Sequence, residues 1–373
     1  MIYLDNAATS LIKPITVQKE MIKAMNMAAS PGRGGHGPAL YAAETVFQCR
    51  QTAAKLFNVP DTEQVVFTFN ATHALNIAIN SLASKGTKVL VSGYEHNSVT
   101  RPLEAIGAEI KLASSPLFDK EAAIEAFREK IAWAELVVCT HVSNVFGFVL
   151  PVYEIADMCR HHGVPMIVDA SQSAGVLDVD FGKLQVAFVA MPGHKSLFGP
   201  QGTGVLLCGD SGKSFIHGGT GSNSRSQNMP GFLPDMHEAG THNVAGLAGL
   251  NAGMNYVIDK GTDKIQAHEK FLLQNTVQML SEMECVKLYN TNNEEQSGVL
   301  SFTCVLMDTE ELAQRLAEEG ICVRAGLHCS PYAHRSAGTL DTGTVRLSFS
   351  PFVTLENARD FCEILQNLLK SKL

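Results

Sequence analysis

The sequence predicts an α/β protein with a large domain built on a mainly parallel sheet and a smaller C-terminal α+β domain. Short apolar segments alternate with segments of helical periodicity from about residue 60 to 210, which is the pattern of a parallel sheet covered by helices on both faces. From about residue 255 the pattern changes to β-α-β-β-α. The length of 373 residues also favours two domains over one.

Each element of the large domain follows from a local pattern. Helices are predicted at 71–84, from apolar residues at helical spacing, and at 151–163, which has Pro at its start and Gly near its end. Strands are predicted at the short apolar runs 64–69, 88–93, 135–140, 165–170, 186–191 and 203–208. Because ligands on such sheets bind beyond the strand ends, the following loops are where a site is expected.

The division of the chain follows from the change of pattern. We expect a large domain at 16–254, a small domain at 255–373, and an N-terminal segment, 1–15, that packs on the small domain. The helix at 245–260 would connect the two domains. In the small domain, strands are predicted at 298–307, 321–326 and 344–351, and helices at 308–320 and 354–371.

Composition limits the class of function. The net charge of −8 argues against a nucleic-acid or membrane-surface partner. The chain contains neither a secretory pattern at its start nor an apolar run of the roughly 18 residues that a membrane helix needs. Nine cysteines at scattered spacing, without a CxxC pair, predict reduced thiols in a cytoplasmic protein. Most of them lie in apolar surroundings and are expected in the core.

Two residues at neighbouring strand ends suggest a cofactor. Asp169 ends an apolar strand in "VDASQS", where it could equally cap the next segment. Lys195 lies in the glycine-rich loop "MPGHKSLFGPQGTG", which would hold it near the sheet edge, although a lone loop lysine is usually inert. Together they favour pyridoxal phosphate, which needs a lysine for a Schiff base and an acid to keep its pyridine nitrogen protonated.

A cofactor with a phosphate also needs an anion site and a covered ring. The strand–turn–helix segment "TFNATHALN" would point the amides of Ala71, Thr72 and His73 at an anion, a signal that is weak alone. Polar stretches at 217–226 and 237–243 could add contacts. His96 in "GYEHNSV" could stack on the ring, although by itself it would be interpreted as a surface histidine.

Cys329 lies in the polar, partly cationic segment "RAGLHCSPYAH", residues 324–334. It could be a reagent, a metal ligand or a small apolar residue. A zinc site with His328 and His334 is conceivable, but the spacing fits no common metal motif, so no metal is expected.

The joint order of ten short motifs resembles class V aminotransferase-fold enzymes and, more narrowly, the cysteine desulfurase / selenocysteine lyase (NifS-like) family. The resemblance implies a PLP-dependent transferase fold of type I with a seven-stranded sheet in the large domain. The motifs run over nearly the whole chain: "YLDNAATS", "GRGGHG", "NATHALN", "EHNSV", "HVSNVFG", "VDASQSAG", "PGHKSLFGPQGTGVL", "EAGTHN", "RAGLHC" and "VRLSFSPFVT".

The resemblance also implies residue roles. Lys195, Cys329 and His96 would be catalytic: the lysine that binds the cofactor and moves protons, the nucleophile, and the ring that stacks on the cofactor. The predicted cofactor ligands are Ala71, Thr72, His73, His96, Asn144, Asp169, Gln172, His194, Lys195 and Thr241, with Asp169 on the pyridine nitrogen and Gln172 on the ring oxygen. The predicted substrate ligands are His36, Asn144, Arg324 and Arg346, with Arg346 on the α-carboxylate.

The implied function is that of a PLP-dependent cysteine desulfurase that converts L-cysteine to L-alanine and takes the sulfur on Cys329 as a persulfide. Thr241 would reach the phosphate of a neighbouring subunit, which implies a homodimer with shared active sites, and a sulfur-acceptor protein would be a further partner. His328 or Arg324 could lower the pKa of the Cys329 thiol. The alternatives are a selenocysteine lyase, an aminotransferase or β-lyase with Cys329 incidental, and a non-enzymatic sulfur-relay protein.

The chain departs from the family pattern at two places. His73 stands where the family commonly has Glu, and Asn70–Ala71 replace a more usual Gly–Thr. The segment 330–343 also differs, so we expect acceptor recognition and substrate preference to differ most.

Overall fold

A computed structural model describes residues 1–32, 34–291 and 295–370. Arg33 of the "GRGGHG" motif and residue 371, the last of the predicted C-terminal helix, lie outside the described residues. Strands are β1 Ile2–Tyr3, β2 Val65–Thr68, β3 Lys88–Ser92, β4 Glu109–Ala113, β5 Leu136–Thr140, β6 Met166–Asp169, β7 Phe188–Pro192, β8 Gly204–Cys208, β9 Val286–Tyr289, β10 Val299–Cys304, β11 Ile321–Cys322, β12 Arg324–Gly326 and β13 Thr344–Ser348. Helices are α1 Ile15–Met27, α2 Gly37–Leu56, α3 Ala71–Leu82, α4 Asn97–Ala105, α5 Lys120–Arg128, α6 Val152–His162, α7 Phe181–Leu184, α8 Val244–Lys260, α9 Thr262–Leu280, α10 Thr309–Glu318, α11 Pro331–Ala337 and α12 Leu355–Lys370.

The large sheet has seven strands in the order β2-β8-β7-β6-β5-β3-β4. Only β8 runs antiparallel to its neighbours β2 and β7 among these strands, and the other pairs are parallel. The predicted seven-stranded, mainly parallel sheet is therefore confirmed. Its central strands β5, β6, β7 and β8 are buried along their whole length, as expected for a sheet covered on both faces.

The sequence analysis missed strand β4, which lies at the edge of this sheet. Its sequence EIKLA alternates between exposed and partly buried residues instead of forming an apolar run. An edge strand has one neighbour and solvent on the other side, so charged residues are common there. Scanning for apolar runs alone cannot find such a strand.

The small sheet has four antiparallel strands in the order β12-β13-β10-β9. The edge strand β9 was missed for the same reason as β4, since its sequence is VKLY and its residues are only partly buried or exposed. Helix α9 was also missed; its Leu272 and Leu273 pack in one core with β10, β13 and α12. The segment after Cys329 is ordered as α11, with Pro331 at its first position and Gly338 in the left-handed conformation at its end.

The N-terminal segment reaches two parts of the fold. Its strand β1 pairs in parallel with β11, and Leu4 packs in the core of the small sheet. Further along, the Ser10 amide donates to the His194 carbonyl at 3.1 Å, beside Lys195. The domain limits at 16–254 and 255–373 stay predictions. Among the described residues, no helix combines the length and apolar character needed to span a membrane.

Candidate active site

The carboxyl ends of the parallel strands β3, β5, β6 and β7 meet at one edge of the large sheet. A cavity of about 170 Å³ lies at this edge, where the topology of an open α/β sheet places a ligand. Eight of the sequence-predicted residues line it: Ala71, Thr72, His96, Asn144, Asp169, Gln172, His194 and Lys195.

Lys195 follows β7 and is the cationic group in this cavity wall. Burial lowers the pKa of Lys195 to about 8, although the nearby Asp169 carboxylate raises it and the Arg346 guanidinium lowers it further. At pH 7 roughly a tenth of such amines are unprotonated, against far less than a hundredth for an ordinary lysine. Lys195 is therefore suited to act as a nucleophile and to exchange protons near neutral pH.

Asp169 is the last residue of β6 and is 3% exposed. Its Oδ1 accepts the Ser171 amide at 2.9 Å and also the Ser171 hydroxyl. Within the described parts of the chain, no hydrogen bond reaches Oδ2, so a carboxylate oxygen remains for a cationic or N–H group of a ligand.

The first turn of α3 forms an anion site. Asn70 caps the helix, and no group of the described residues accepts from the amides of Ala71 and Thr72. Free amides at a helix N-terminus attract an anion. The His73 amide, expected to join them, donates to Asn70 Oδ1 at 2.8 Å, and its ring stacks on Phe69 outside this cavity. The cradle therefore has two amides where the sequence analysis expected three.

His96 caps α4, and its Nδ1 accepts the Ser98 amide at 3.0 Å. Burial lowers the pKa of His96 to about 4, and the charge of Lys195 lowers it further, so the ring is neutral at pH 7. The Ser98 hydroxyl lies 2.9 Å from His96 Nδ1 and 2.8 Å from Thr72 Oγ1. Ser98 thus joins the starts of α3 and α4, a role that sequence reasoning missed although Ser98 lies inside the quoted "EHNSV" motif.

The N-terminal segment hydrogen-bonds two residues of the cavity wall. His194 Nδ1 lies 3.0 Å from Thr9 Oγ1, and Gln172 Nε2 donates to the Ala7 carbonyl at 3.0 Å. Burial lowers the pKa of His194 to about 4, with Lys195 and Lys13 adding to the effect. The His194 ring is therefore neutral and can hydrogen-bond a ligand through its other nitrogen.

Asn144 connects this cavity to the loop that carries Cys329. Asn144 Nδ2 donates to the His328 carbonyl at 2.8 Å, and the Ser330 hydroxyl donates to Asn144 Oδ1 at 2.6 Å. The Cys329 carbonyl accepts the amide of Asn97, the first residue of α4, at 2.8 Å. Cys329 itself is exposed. The fold therefore ties an accessible thiol to two elements that border the cavity.

Arg346, on β13, is buried and belongs to a network with Asp5. Its Nη1 donates to the Asn144 carbonyl at 3.0 Å, and its Nη2 donates to Asp5 Oδ1 at 2.7 Å. Arg324 donates to the other oxygen of Asp5 from Nε at 3.0 Å. Arg346 Nε is buried and, within the described residues, has no partner, and Arg346 does not itself line the Lys195 cavity. Asp5 lies within the segment "YLDNAATS" but was not predicted as a site residue.

Six predicted site residues do not line the Lys195 cavity: His36, His73, Thr241, Arg324, Cys329 and Arg346. Thr241 lines a separate cavity of about 90 Å³ together with His73 and the buried Glu238. His36 is exposed and caps α2, where its Nδ1 accepts the Ala39 amide at 3.4 Å.

His328 cannot supply the positive charge that the sequence analysis considered for Cys329. It is buried, its Nε2 lies 3.1 Å from the Thr344 carbonyl, and its ring stacks on that of His334. Burial, assisted by Arg346, lowers the pKa of His328 to about 2, which leaves the ring neutral. Arg324, the other expected cation, is paired with Asp5. Among the described residues, no group of His, Cys, Asp and Glu side chains is suited to hold a metal ion.

These groups fit pyridoxal phosphate. The unpaired amides of Ala71 and Thr72 suit its phosphate, and the unpaired oxygen of Asp169 suits its pyridine nitrogen. The amine of Lys195, to which no described residue hydrogen-bonds, suits its aldehyde. All four residues line the one cavity.

Comparisons with known proteins identify the family to which the chain belongs. A family model described as "Aminotransferase class-V" matches residues 2–361. A probable cysteine desulfurase of Pyrococcus abyssi is 32% identical over 393 residues, which cover 100% of this chain and 95% of that protein. A probable cysteine desulfurase of Methanothermobacter thermautotrophicus is 32% identical over 384 residues, covering 98% and 94%.

Solved structures of cysteine desulfurases are similar to the structure of this chain. The apo structure of a cysteine desulfurase from Thermococcus onnurineus NA1 superposes with a TM-score of 0.90 at 29% identity, covering 99% of this chain and 95% of that one. The cysteine desulfurase CsdA from Escherichia coli, at 24% identity and a TM-score of 0.86, shares the fold. The chain therefore belongs to the class-V aminotransferase family, whose members depend on pyridoxal phosphate.

Proposed function

We propose that the chain is a cysteine desulfurase that converts L-cysteine to L-alanine and takes the sulfur on Cys329 as a persulfide. The observation that carries the proposal is the link through Asn144: the loop with the exposed Cys329 is hydrogen-bonded to a wall of the cavity that contains Lys195 and Asp169. Two relatives at 32% identity are probable cysteine desulfurases, which supports the same reaction.

The cofactor would be held by the amides of Ala71 and Thr72, by Asp169 and by Lys195, with the neutral ring of His96 against it. When bound, pyridoxal phosphate supplies an electron sink for a carbanion next to the amino group. His194 and Gln172 are further polar groups of the same wall.

The substrate α-carboxylate would be bound by Arg346, whose Nη1 donates to the carbonyl of Asn144, a residue of the cavity wall. Lys195 Nζ would take the proton from the substrate Cα, because its lowered pKa leaves a fraction of the amine neutral at pH 7. Asp5 accepts from Arg346 Nη2 and the Asn144 carbonyl accepts from Nη1, which fixes the guanidinium before substrate arrives.

The group transfer balances without a further reagent. The Cys329 sulfur forms a bond to the substrate sulfur, the substrate C–S bond breaks, and the carbon fragment gains a proton and leaves as alanine. One cysteine and one Cys329 thiol thus give one alanine and one Cys329 persulfide. A thiolate is required for the attack, since a thiol is a poor nucleophile.

The proposal is tested by an absorbance spectrum and an assay of alanine and bound persulfide with L-cysteine. The purified protein should be yellow, and Lys195→Ala should lose the visible absorbance. Cys329→Ser should keep the absorbance and lose persulfide formation, whereas Cys322→Ser, a half-buried thiol in the neighbouring strand β11, should keep both. Normal persulfide formation by Cys329→Ser would overturn the assignment. Release of selenide from selenocysteine without turnover of cysteine would favour a selenocysteine lyase.

The functional unit in this proposal is a homodimer with shared active sites. Thr241 is exposed and lines a different cavity from Lys195 within one chain, which supports its contact with a neighbouring subunit. Complementation tests this directly. If sites are shared, Thr241→Ala alone should weaken retention of the cofactor, and mixing it with Lys195→Ala restores one intact site in each mixed dimer, so roughly a quarter of all sites should retain cofactor and its absorbance after dialysis. Unrestored absorbance in a mixture that contains mixed dimers would exclude sharing.

The further partners are an amino-acid substrate and a sulfur-acceptor protein that meets the exposed Cys329. Exposure of the thiol supports transfer to another protein, because a persulfide on a buried residue could not reach a second nucleophile. Nine unpaired cysteines support the cytoplasmic location that the sequence predicts.

A further inference from the structure

Two cysteines outside the active site lie at the ends of neighbouring strands. Cys304 is the last residue of β10 and pairs with Val286, the first residue of β9. Cys285 directly precedes β9, and its carbonyl accepts the Val305 amide at 3.0 Å. Opposed residues of antiparallel strands have Cα atoms about 5 Å apart, and one step along a strand adds about 3.4 Å. The two cysteines are therefore about 6 Å apart at Cα, within the range of about 4.4–6.8 Å that a disulfide spans.

The two thiols are close enough to interact with each other. Burial raises the pKa of the Cys285 thiol, and the neighbouring Cys304 thiol raises it further. The Leu306 amide donates to the Cys304 sulfur at 3.4 Å. The amide donor on the Cys304 sulfur and the raised pKa of Cys285 together make Cys304 the better nucleophile of the pair.

The pair is also within reach of a reagent. Both cysteines are half-buried, and a surface cavity of about 460 Å³ is lined by Cys285 and by Val305, which is 81% exposed. By contrast, Cys139 and Cys159, which also lie near each other, are both buried. Proximity and access thus coincide at Cys285 and Cys304.

We propose that Cys285 and Cys304 form a redox-active dithiol that a low-molecular-weight disulfide converts to an intramolecular disulfide. The Cys304 thiolate attacks one sulfur of the reagent, whose S–S bond breaks and releases one thiolate. The Cys285 thiolate then attacks the Cys304 sulfur and releases the second. Two protein thiols and one reagent disulfide thus give one protein disulfide and two reagent thiols.

The test uses the full-length protein, glutathione disulfide as the reagent, and thiol trapping followed by peptide mass spectrometry. We expect a peptide linked through Cys285 and Cys304 to accumulate while Cys322, a half-buried cysteine on β11, is still mainly alkylated. Cys329, which is exposed, reports in the same sample that the reagent was active. This readout counts thiols, so it does not depend on cofactor or on turnover.

The variants separate the two roles. In Cys285→Ser, the reaction should stop at a glutathione adduct on Cys304, because the thiol that would resolve the adduct is missing. In Cys304→Ser, glutathione disulfide should modify Cys285 much more slowly. Cys322→Ser, the matched control, should form the linked peptide as the wild type does. Free thiols at both 285 and 304 in a sample where Cys329 is modified would overturn the proposal. Glutathione adducts on the wild-type pair without a linked peptide would also overturn it.

Discussion

Asn144 and Ser330 are joined by a 2.6 Å hydrogen bond that holds the Cys329 loop against the wall of the Lys195 cavity. The neighbouring bond from Asn144 Nδ2 to the His328 carbonyl, at 2.8 Å, holds the other side of Cys329. His328 and Cys329 have φ values of 49° and 57°, which non-glycine residues adopt at a cost of about 1 kcal/mol or more each. One amide side chain thus stabilises a strained loop conformation.

The first prediction concerns this amide. We expect Asn144→Ala to keep the folded protein and its absorbance but to lower persulfide formation at Cys329 at least tenfold, because the loop relaxes when two buried hydrogen bonds of about 1 kcal/mol each are lost. Asn144→Asp, which still accepts from Ser330, should have an intermediate effect. Single-turnover persulfide trapping measures the rate of persulfide formation. The rate at which a small reagent alkylates Cys329 shows whether the conformation of the loop has changed. An unchanged single-turnover rate in Asn144→Ala would contradict the proposed restraint.

The second prediction separates the two arginines on Asp5. Arg346 is 3% exposed at its side chain and Arg324 is 53% exposed. Removing a partner from a buried ion pair costs roughly 3–5 kcal/mol, whereas an exposed pair contributes about 1 kcal/mol or less. Asp5→Asn should therefore lower the free energy of unfolding by a few kcal/mol and raise KM for cysteine through a misplaced Arg346.

The control is Arg324→Gln, which should change the free energy of unfolding by about 1 kcal/mol or less. Urea unfolding curves of the two variants and of the wild type give the comparison. Equal losses in Asp5→Asn and Arg324→Gln would mean that the contact with Arg346 is not the important one.

Strands that are buried on both faces were predicted from the sequence more accurately than the edge strands β4 and β9. Strands β5, β6, β7 and β8 are continuous apolar runs, and each was predicted to within a few residues. Edge strands β4 and β9 keep charged residues on their exposed sides, so the same criterion cannot find them. Their positions depend on pairing with distant strands.

The site was predictable where a residue ends a strand or begins a helix. Asp169 and Lys195 follow buried strands of one sheet, and topology alone brings their loops to the same edge. The role of Asp5 was not predictable, because it depends on contacts with Arg324 and Arg346, which lie 319 and 341 residues further along the chain. The neutral state of His328 depends on burial among side chains of distant residues, which adjacency to Cys329 does not reveal.

The third prediction concerns the pH dependence of cofactor loading. An amine reacts with an aldehyde only when unprotonated, so the loading rate of the apo-protein should rise about tenfold per pH unit and level off near the Lys195 pKa of about 8. With an ordinary lysine, the loading rate would keep rising up to about pH 10. Because Asp169 raises the pKa of Lys195, the loading rate of the Asp169→Asn variant should level off at a lower pH than that of the wild type. The measurement is stopped-flow absorbance of apo-protein mixed with pyridoxal phosphate, and a rate that still climbs above pH 9 would contradict the lowered pKa.

The last prediction concerns Glu95, a buried carboxyl beside the cavity that sequence reasoning missed. Its Oε1 accepts the Thr140 amide at 2.8 Å and the Ser92 hydroxyl, while Oε2 is buried and has no partner among the described residues. Burial raises the pKa of Glu95 from 4.5 to about 8, against the effect of these hydrogen bonds. The carboxyl is therefore protonated in the folded protein at pH 7.

This pKa sets the direction of a stability change. Below pH 4.5 both the folded and the unfolded state bind the proton. Between pH 4.5 and about 8 only the folded state does, so unfolding releases a proton and the free energy of unfolding falls as pH rises, by up to about 1.4 kcal/mol per unit. Above pH 8 neither state binds the proton and the loss is complete. Glu95→Gln, which keeps the accepting oxygen and cannot ionise, should lack this fall. The measurement is urea unfolding of wild type and Glu95→Gln at pH 5, 6.5 and 8. The free energy of unfolding of the variant should increase relative to that of the wild type as the pH rises. A difference that does not change with pH would show that Glu95 keeps an ordinary pKa.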